Sequence, residues 1–280
     1  GAIFANVKTL QLINCALENN RASNAGGAMD ATSGEITLTD CSVKDNAAGA
    51  YGGGIFICNA VNLTLDGTTT LDGNGYKQDT VNGSTVTYSP SSGGAVDVAG
   101  WQVTKPNGAS EAVLTLKGKV TVSNNHLSGT AFGESTNRYG AGILVNKDAK
   151  LNIQGNLSFS DNTVYDTAYT DKQNGSKAYP VSNDLTGPRQ DIYLAVPALG
   201  NSNDVADNIT VTGEITSGDG SIWVWAEKKD DAPNHYEMLQ QFAVFADGVK
   251  DTLNTAGTLE STMKAFRNAQ DDGTTGCGAD

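Results

Sequence analysis

Arg138 and Arg189 each stand at the mouth of a long polar segment. A calcium-dependent polysaccharide lyase needs such a basic side chain beside clustered aspartates, so these two are its candidates. A solvent-exposed or ion-paired arginine is the simpler reading of both. Glycoside hydrolysis asks for two carboxyl groups at a set separation, one of them held protonated. Among 31 Asp and Glu such pairs form easily, and their existence alone decides nothing. His126 directly follows Asn125 in a turn, and His235 sits in a polar linker; both positions suit structure as well as catalysis. Cys15, Cys41, Cys58 and Cys277 include no C-x-x-C pair, which with two histidines makes a poor zinc set. One "SGDGS" stands where a calcium-binding array would repeat its acidic nonapeptide. No metal and no cofactor is expected.

The bulk composition narrows the partners. A net charge of −13 argues against nucleic acid and anionic membrane, since an acidic surface releases no counterions from either. No stretch approaches the roughly 20 apolar residues that span a bilayer. Glycine (33 residues), Ser, Thr, Asn and Asp are abundant while Pro is scarce, a mixture suited to short strands joined by tight turns. The sequence opens partway through a repeat, so a piece of a longer polypeptide is expected.

That repeat is the strongest pattern in the chain. Asn20, Asn46, Asn74, Asn125, Asn162 and Gly220 close successive units. An apolar pair lies at a near-constant distance before each: Leu10/Leu12, Ile36/Leu38, Leu63/Leu65, Leu114/Leu116, Leu151/Ile153 and Ile209/Val211. Alternating apolar pairs read as half-buried strands, and the recurrent Gly and Asn mark turns through positive φ. A 26-residue unit holds about three short strands and cannot bury its own inner face, so units must stack. The predicted fold is all-β, a right-handed parallel β-helix of about six to seven coils spanning residues 1–227. An antiparallel sandwich explains the strands but not the fixed offsets. Residues 228–270 are expected to cap the column with a strand and a short amphipathic helix carrying Leu259, Met263 and Phe266; residues 271–280 form a polar tail or linker. Cys15 and Cys41, 26 apart, should stack as free thiols, and the closing asparagines should exchange side-chain hydrogen bonds between coils.

The glycine sites "GGAM", "GGGI" and "GGAV", with the closes "LENN", "VKDN", "LDGN", "VSNN" and "FSDN", resemble the repeats of chlamydial polymorphic outer membrane proteins. The resemblance covers roughly residues 1–225. Only Phe159–Asn162 keeps the phenylalanine of that family's close, and the glycine site drifts to "GAGI" in the fifth unit and "RQDI" in the sixth. The resemblance implies a β-helical surface adhesin, extracellular at a bacterial cell surface. Against a β-helical polysaccharide hydrolase, the polygalacturonase-type signature is missing but for a "QDD" at Gln270–Asp272, outside the column.

Insertions mark where function can sit. Five residues separate each of the first two closing asparagines from the next glycine pair. After Asn74, Asn125 and Asn162 the chain inserts 18, 14 and about 26 residues at one corner of successive coils. These loops hold Tyr76, Tyr88, Tyr139, Tyr165, Tyr169 and Tyr179, six of the nine tyrosines, together with Phe132. With Arg138 and Arg189 they are the candidate ligand-binding set, suited to sugar or protein recognition. The rings could equally pin long loops to the column. A further insertion between Val96 and Leu114 carries Trp101 and Pro106. The sequence thus favours a non-enzymatic adhesin or stalk segment, monomeric as a fragment, that presents a loop-built face to a host-surface protein or glycan. A carbohydrate-active β-helix enzyme is the alternative.

Overall fold

The computed structural model describes residues 1–99, 111–128, 139–146, 149–165, 189–195, 209–229, 236–238 and 243–268. The alternating apolar pairs become parallel strands in register. Ile3–Ile13, Met29–Thr39 and Ile55–Asp66 lie side by side. Insertions then split the strand into Val96–Ala99 with Ala112–Leu116 and into Ile192–Leu194 with Ile209–Ile215, while between them Ile143–Val145 and Ala149–Ser160 keep the original spacing. Leu10, Ile36, Leu63, Leu114, Leu151 and Ile209 form one column across these strands, and Leu12, Leu38, Leu65, Leu116, Ile153 and Val211 form a second.

A second set of strands repeats the arrangement. Ala16–Glu18, Ser42–Lys44, Thr68–Asp72, Lys119–Ser123 and the end of Ala149–Ser160 align Leu17, Val43, Leu71, Val122 and Phe159. A third, shorter set pairs Arg21–Ala22 with Ala47–Ala48 and His126–Ser128 with Thr163–Tyr165. The molecule is therefore all-β, dominated by one large parallel sheet, with few helices. One contiguous core runs from Ala5 to Phe266. Each fully buried Leu, Ile or Val stabilises by roughly 1.5–3 kcal/mol, while ordering a residue costs about 1–2 kcal/mol of backbone entropy. A unit with five or so such residues cannot hold itself together, and the columns supply the neighbours it lacks.

The turns use positive φ at fixed points. Gly26, Gly52, Gly93 and Gly140 open successive units with φ of 58°, 55°, 58° and 69°. Next to one of them, a β-carbon on Gly94 would run into the carbonyl oxygen of Ala141 on the neighbouring unit. Asn19, Asp45, Gly73, Asn124 and Asp161, also at positive φ, stand immediately before the closing asparagines. Asn and Asp tolerate that region better than other side chains.

The C-terminal segment differs in detail from its expected strand plus helix. Two helices form, Val249–Ala256 and Leu259–Lys264, separated by Gly257 at φ 74°. Phe266 does not extend the second helix but enters the strand Phe266–Asn268, where it lies beside Ile222. Ala243–Phe245 likewise lies parallel to Ile209–Val211. The parallel pairing thus runs past residue 227 into the segment read as a cap. Among the described residues no helix is long and apolar enough to cross a membrane.

Candidate functional site

The closing asparagines build a buried ladder. The side-chain amide of Asn20 donates to Oδ1 of Asn46 at 3.0 Å, Asn46 to Asn74 at 3.0 Å, Asn74 to Asn125 at 3.0 Å, and Asn125 to Asn162 at 2.8 Å. The backbone N–H of each donor residue bonds the same oxygen. The second amide proton of Asn46, Asn74, Asn125 and Asn162 goes to the carbonyls of Leu17, Val43, Leu71 and Val122 in the preceding unit. Every polar atom of an interior ladder amide therefore has a partner, which a buried amide requires.

The ladder ends on Asp191. Asn162 donates to its Oδ1 at 2.8 Å, while Arg189 pairs with Oδ2 at 2.7 Å and the Trp223 N–H donates to Oδ2 at 3.0 Å. Burial pushes the Asp191 carboxyl above the usual carboxylate value, and the bonds from Arg189 and Asn162 oppose that shift without cancelling it. Asp191 lies level with Gly142 and so occupies the position of the third residue in "GGAM" and its relatives. The drift from "GGA" to "RQD" is thus the local departure that seats a carboxylate at the end of the amide row. Gly220, expected as the sixth closing residue, has no side chain to extend it.

Arg189 is held through one terminal nitrogen of its guanidinium, while its buried Nε has no hydrogen-bond partner among the described residues. Its guanidinium donates to the carbonyls of Phe159 at 2.6 Å and Ser221 at 2.7 Å, pairs with Asp191, and lies 5.2 Å from the Trp223 ring centre. A second guanidinium, that of Arg267, lies 4.7 Å from the same ring centre. Such a guanidinium anchors the backbone at Phe159 and Ser221.

The insertions leave and return at matching points. Gly75 aligns with His126, and His126 with Thr163; Tyr51 aligns with Ser92, and Ser92 with Tyr139. The first insertion is a β-hairpin, Lys77–Val81 against Ser84–Tyr88, turning at Asn82-Gly83 with φ of 50° and 77°. This dipeptide in that conformation is the favoured two-residue hairpin turn, a signal legible in the sequence but absent from the reading above. The hairpin is fastened to the earlier units rather than standing free. Arg21 grips Asp79 through two nitrogens at 2.7 and 3.1 Å, and its guanidinium lies 5.8 Å from the Tyr88 ring centre. Lys77 pairs with Asp45 at 2.7 Å. The Arg21 hydrogen bonds hold Asp79 below the ordinary carboxylate value.

Tyr76 is half-buried beside this hairpin, its N–H bonded to the carbonyl of His126 at 2.8 Å. Tyr139 packs its ring 4.5 Å from that of Tyr193, in a cluster with Leu144 and Trp225. Tyr76 and Tyr88 therefore belong to one neighbourhood, and Tyr139 and Arg189 to another, bridged by the Trp225 indole N–H on the Arg189 carbonyl at 3.0 Å. Tyr165 lies in the strand Thr163–Tyr165. Phe132, Arg138, Tyr169 and Tyr179 lie outside the described residues, as do Trp101 and Pro106.

One titratable group escaped the sequence reading. Asp97 is buried, accepting from Ser92 Oγ at 2.5 Å and from the Asn146 amide at 2.9 Å. Burial pushes its carboxyl up to about 7, against the opposing pull of those two bonds. The signal was its setting: a single charge in the apolar run "GGAVDVAG", in a column that carries Phe56, Leu144, Tyr193 and Trp225 and one other carboxylate, Asp30, also pushed above its ordinary value by burial. Nearby, burial first and the charges of Asp30 and Asp97 second push the Cys58 thiol up to about 11. Cys15, Cys41 and Cys58 are free thiols. Burial holds His126 below the usual imidazole range, and its Nδ1 lies 2.8 Å from Thr163 Oγ1. Among the described residues no group of three or more His, Cys, Asp or Glu could hold a metal ion. No known family, characterised protein or solved structure matches the chain.

Proposed function

We propose that this chain is a right-handed parallel β-helix and serves as a non-enzymatic segment of a bacterial cell-surface adhesin or stalk. In this reading it belongs to a longer extracellular polypeptide and offers a loop-built face to a host protein or glycan. The β-helical reading is supported by three recurrent sets of parallel strands per unit and by apolar columns shared across all of them. The functional reading is carried by one observation. Three excursions of the chain leave at the aligned Gly75, His126 and Thr163 positions and so share a flank, and the second returns through Tyr139, whose ring packs with Tyr193 and Trp225. Aligned insertions are where repeat proteins commonly build binding surfaces.

A carbohydrate-active enzyme would need an accessible acid of raised pKa. Asp97 has the pKa, but it is buried, with both oxygens bonded by protein groups. Incubation of the full chain with immobilised host glycans and with uronic-acid polymers separates the two readings. Retention that weakens in a Tyr139→Ala variant, with no new reducing ends, is the expected result. Cleavage abolished by a single carboxylate substitution would overturn it.

A further inference from the structure

We propose that the free edge of Ile3–Ile13 is a docking surface for one more repeat unit, laid parallel to it and bearing a side-chain amide that donates to Asn20. The inference rests on the repeat geometry and is independent of the adhesin reading.

Three observations converge on this edge. Ile3, Leu10, Leu12, Cys15 and Leu17 are only half-buried, whereas Met29, Ile36, Leu38, Cys41 and Val43, one unit along, are buried. The same strand exposes Phe4 at 68%, Ile13 at 58% and Val7 at 39%, three of the four large exposed apolar side chains of the described residues. Among those residues, moreover, Ile3–Ile13 pairs only with Met29–Thr39, so its other edge presents unpaired backbone groups over eleven residues.

The ladder says what kind of strand belongs there. Oδ1 of Asn46, Asn74, Asn125 and Asn162 each accepts from the backbone N–H and the side-chain amide of the preceding asparagine. Oδ1 of Asn20 accepts from no described residue, so the edge is short of a donor pair. A second copy meeting the edge face to face would set two such acceptors against each other and run the strands antiparallel. A copy meeting it with its other end would offer the Phe266–Asn268 strand and two helices, and its amide row stops at the acceptor Asp191. A unit of the present type, with alternating apolar residues and a closing Asn, fills the columns and supplies both donors at once.

The test places residues 27–52 of this chain ahead of Gly1, which keeps the 26-residue spacing and the corner glycine. Amide hydrogen exchange is read as the ratio of protection in Ile3–Ile13 to that in Ile55–Asp66 within one molecule, so a partly misfolded fusion does not imitate the effect. The added unit is expected to slow exchange in Ile3–Ile13 by at least tenfold relative to the parent chain. Replacing the closing residue of the added copy (Asn46→Asp) is expected to remove most of that gain, since a carboxylate cannot donate. Equal protection by both fusions, or by neither, would overturn the proposal. A parent chain already protected along Ile3–Ile13 and dimeric by light scattering would overturn it in favour of a second copy. Neither result bears on glycan retention.

Discussion

Asp97 sets a pH dependence that the acidic composition would not suggest. Its folded pKa lies near 7, above the ordinary 3.8 that it regains on unfolding. Between these values the folded chain holds the proton and the unfolded chain has lost it. Its contribution to stability therefore falls as pH rises from about 4 and is fully unfavourable above 7. Asp97→Asn keeps an acceptor for the Asn146 amide, turns the Ser92 bond round so that the hydroxyl oxygen accepts, and removes the ionisation. Urea unfolding of the variant should show a flatter decline between pH 5 and pH 8, with a gain on the order of 2–4 kcal/mol at the upper end. An unchanged slope would place the titration elsewhere.

At the scale of elements, the repeat explains which parts were legible beforehand. The apolar pairs fall at the predicted strands because period-2 alternation is fixed by the strand itself, and the closing asparagines bond from unit to unit as their common register demands. What the pattern could not convey lies where the repeat breaks. "RQDI" looked like decay of a glycine motif; it is the terminus of the amide row. The expected helix through Phe266 fails because that side chain completes the column beneath Ile222, and tertiary burial outweighs a short amphipathic period. The clustered tyrosines gave no hint that Arg21 would bind the first insertion through Asp79. Arg189→Ala tests the break directly. It leaves Asp191 buried beside an empty site and releases the carbonyls of Phe159 and Ser221, so unfolding should cost about 3–5 kcal/mol less. An exposed, ligand-facing arginine would instead change stability by a few tenths.

For the whole molecule, the parallel strands among the described residues pair with those of adjacent units, an arrangement whose stability is a sum over neighbouring interfaces. Cooperativity then depends on every interface along the line. Gly94→Val would drive a side chain into the Ala141 carbonyl at the middle of the stack. Calorimetry of this variant should split one unfolding transition into two, the earlier units separating from the later. The amide row crosses that same boundary and adds something that packing does not. In every amide of the row the oxygen faces the Ile3–Ile13 end and one N–H faces Asp191, while the second N–H of Asn46, Asn74, Asn125 and Asn162 turns back to the preceding unit. Their dipoles add like those of a helix, in a medium with little water to screen them. The core of this protein is thus polarised from Asn20 to Asp191, and the buried carboxylate of Asp191 sits at the positive pole of the row.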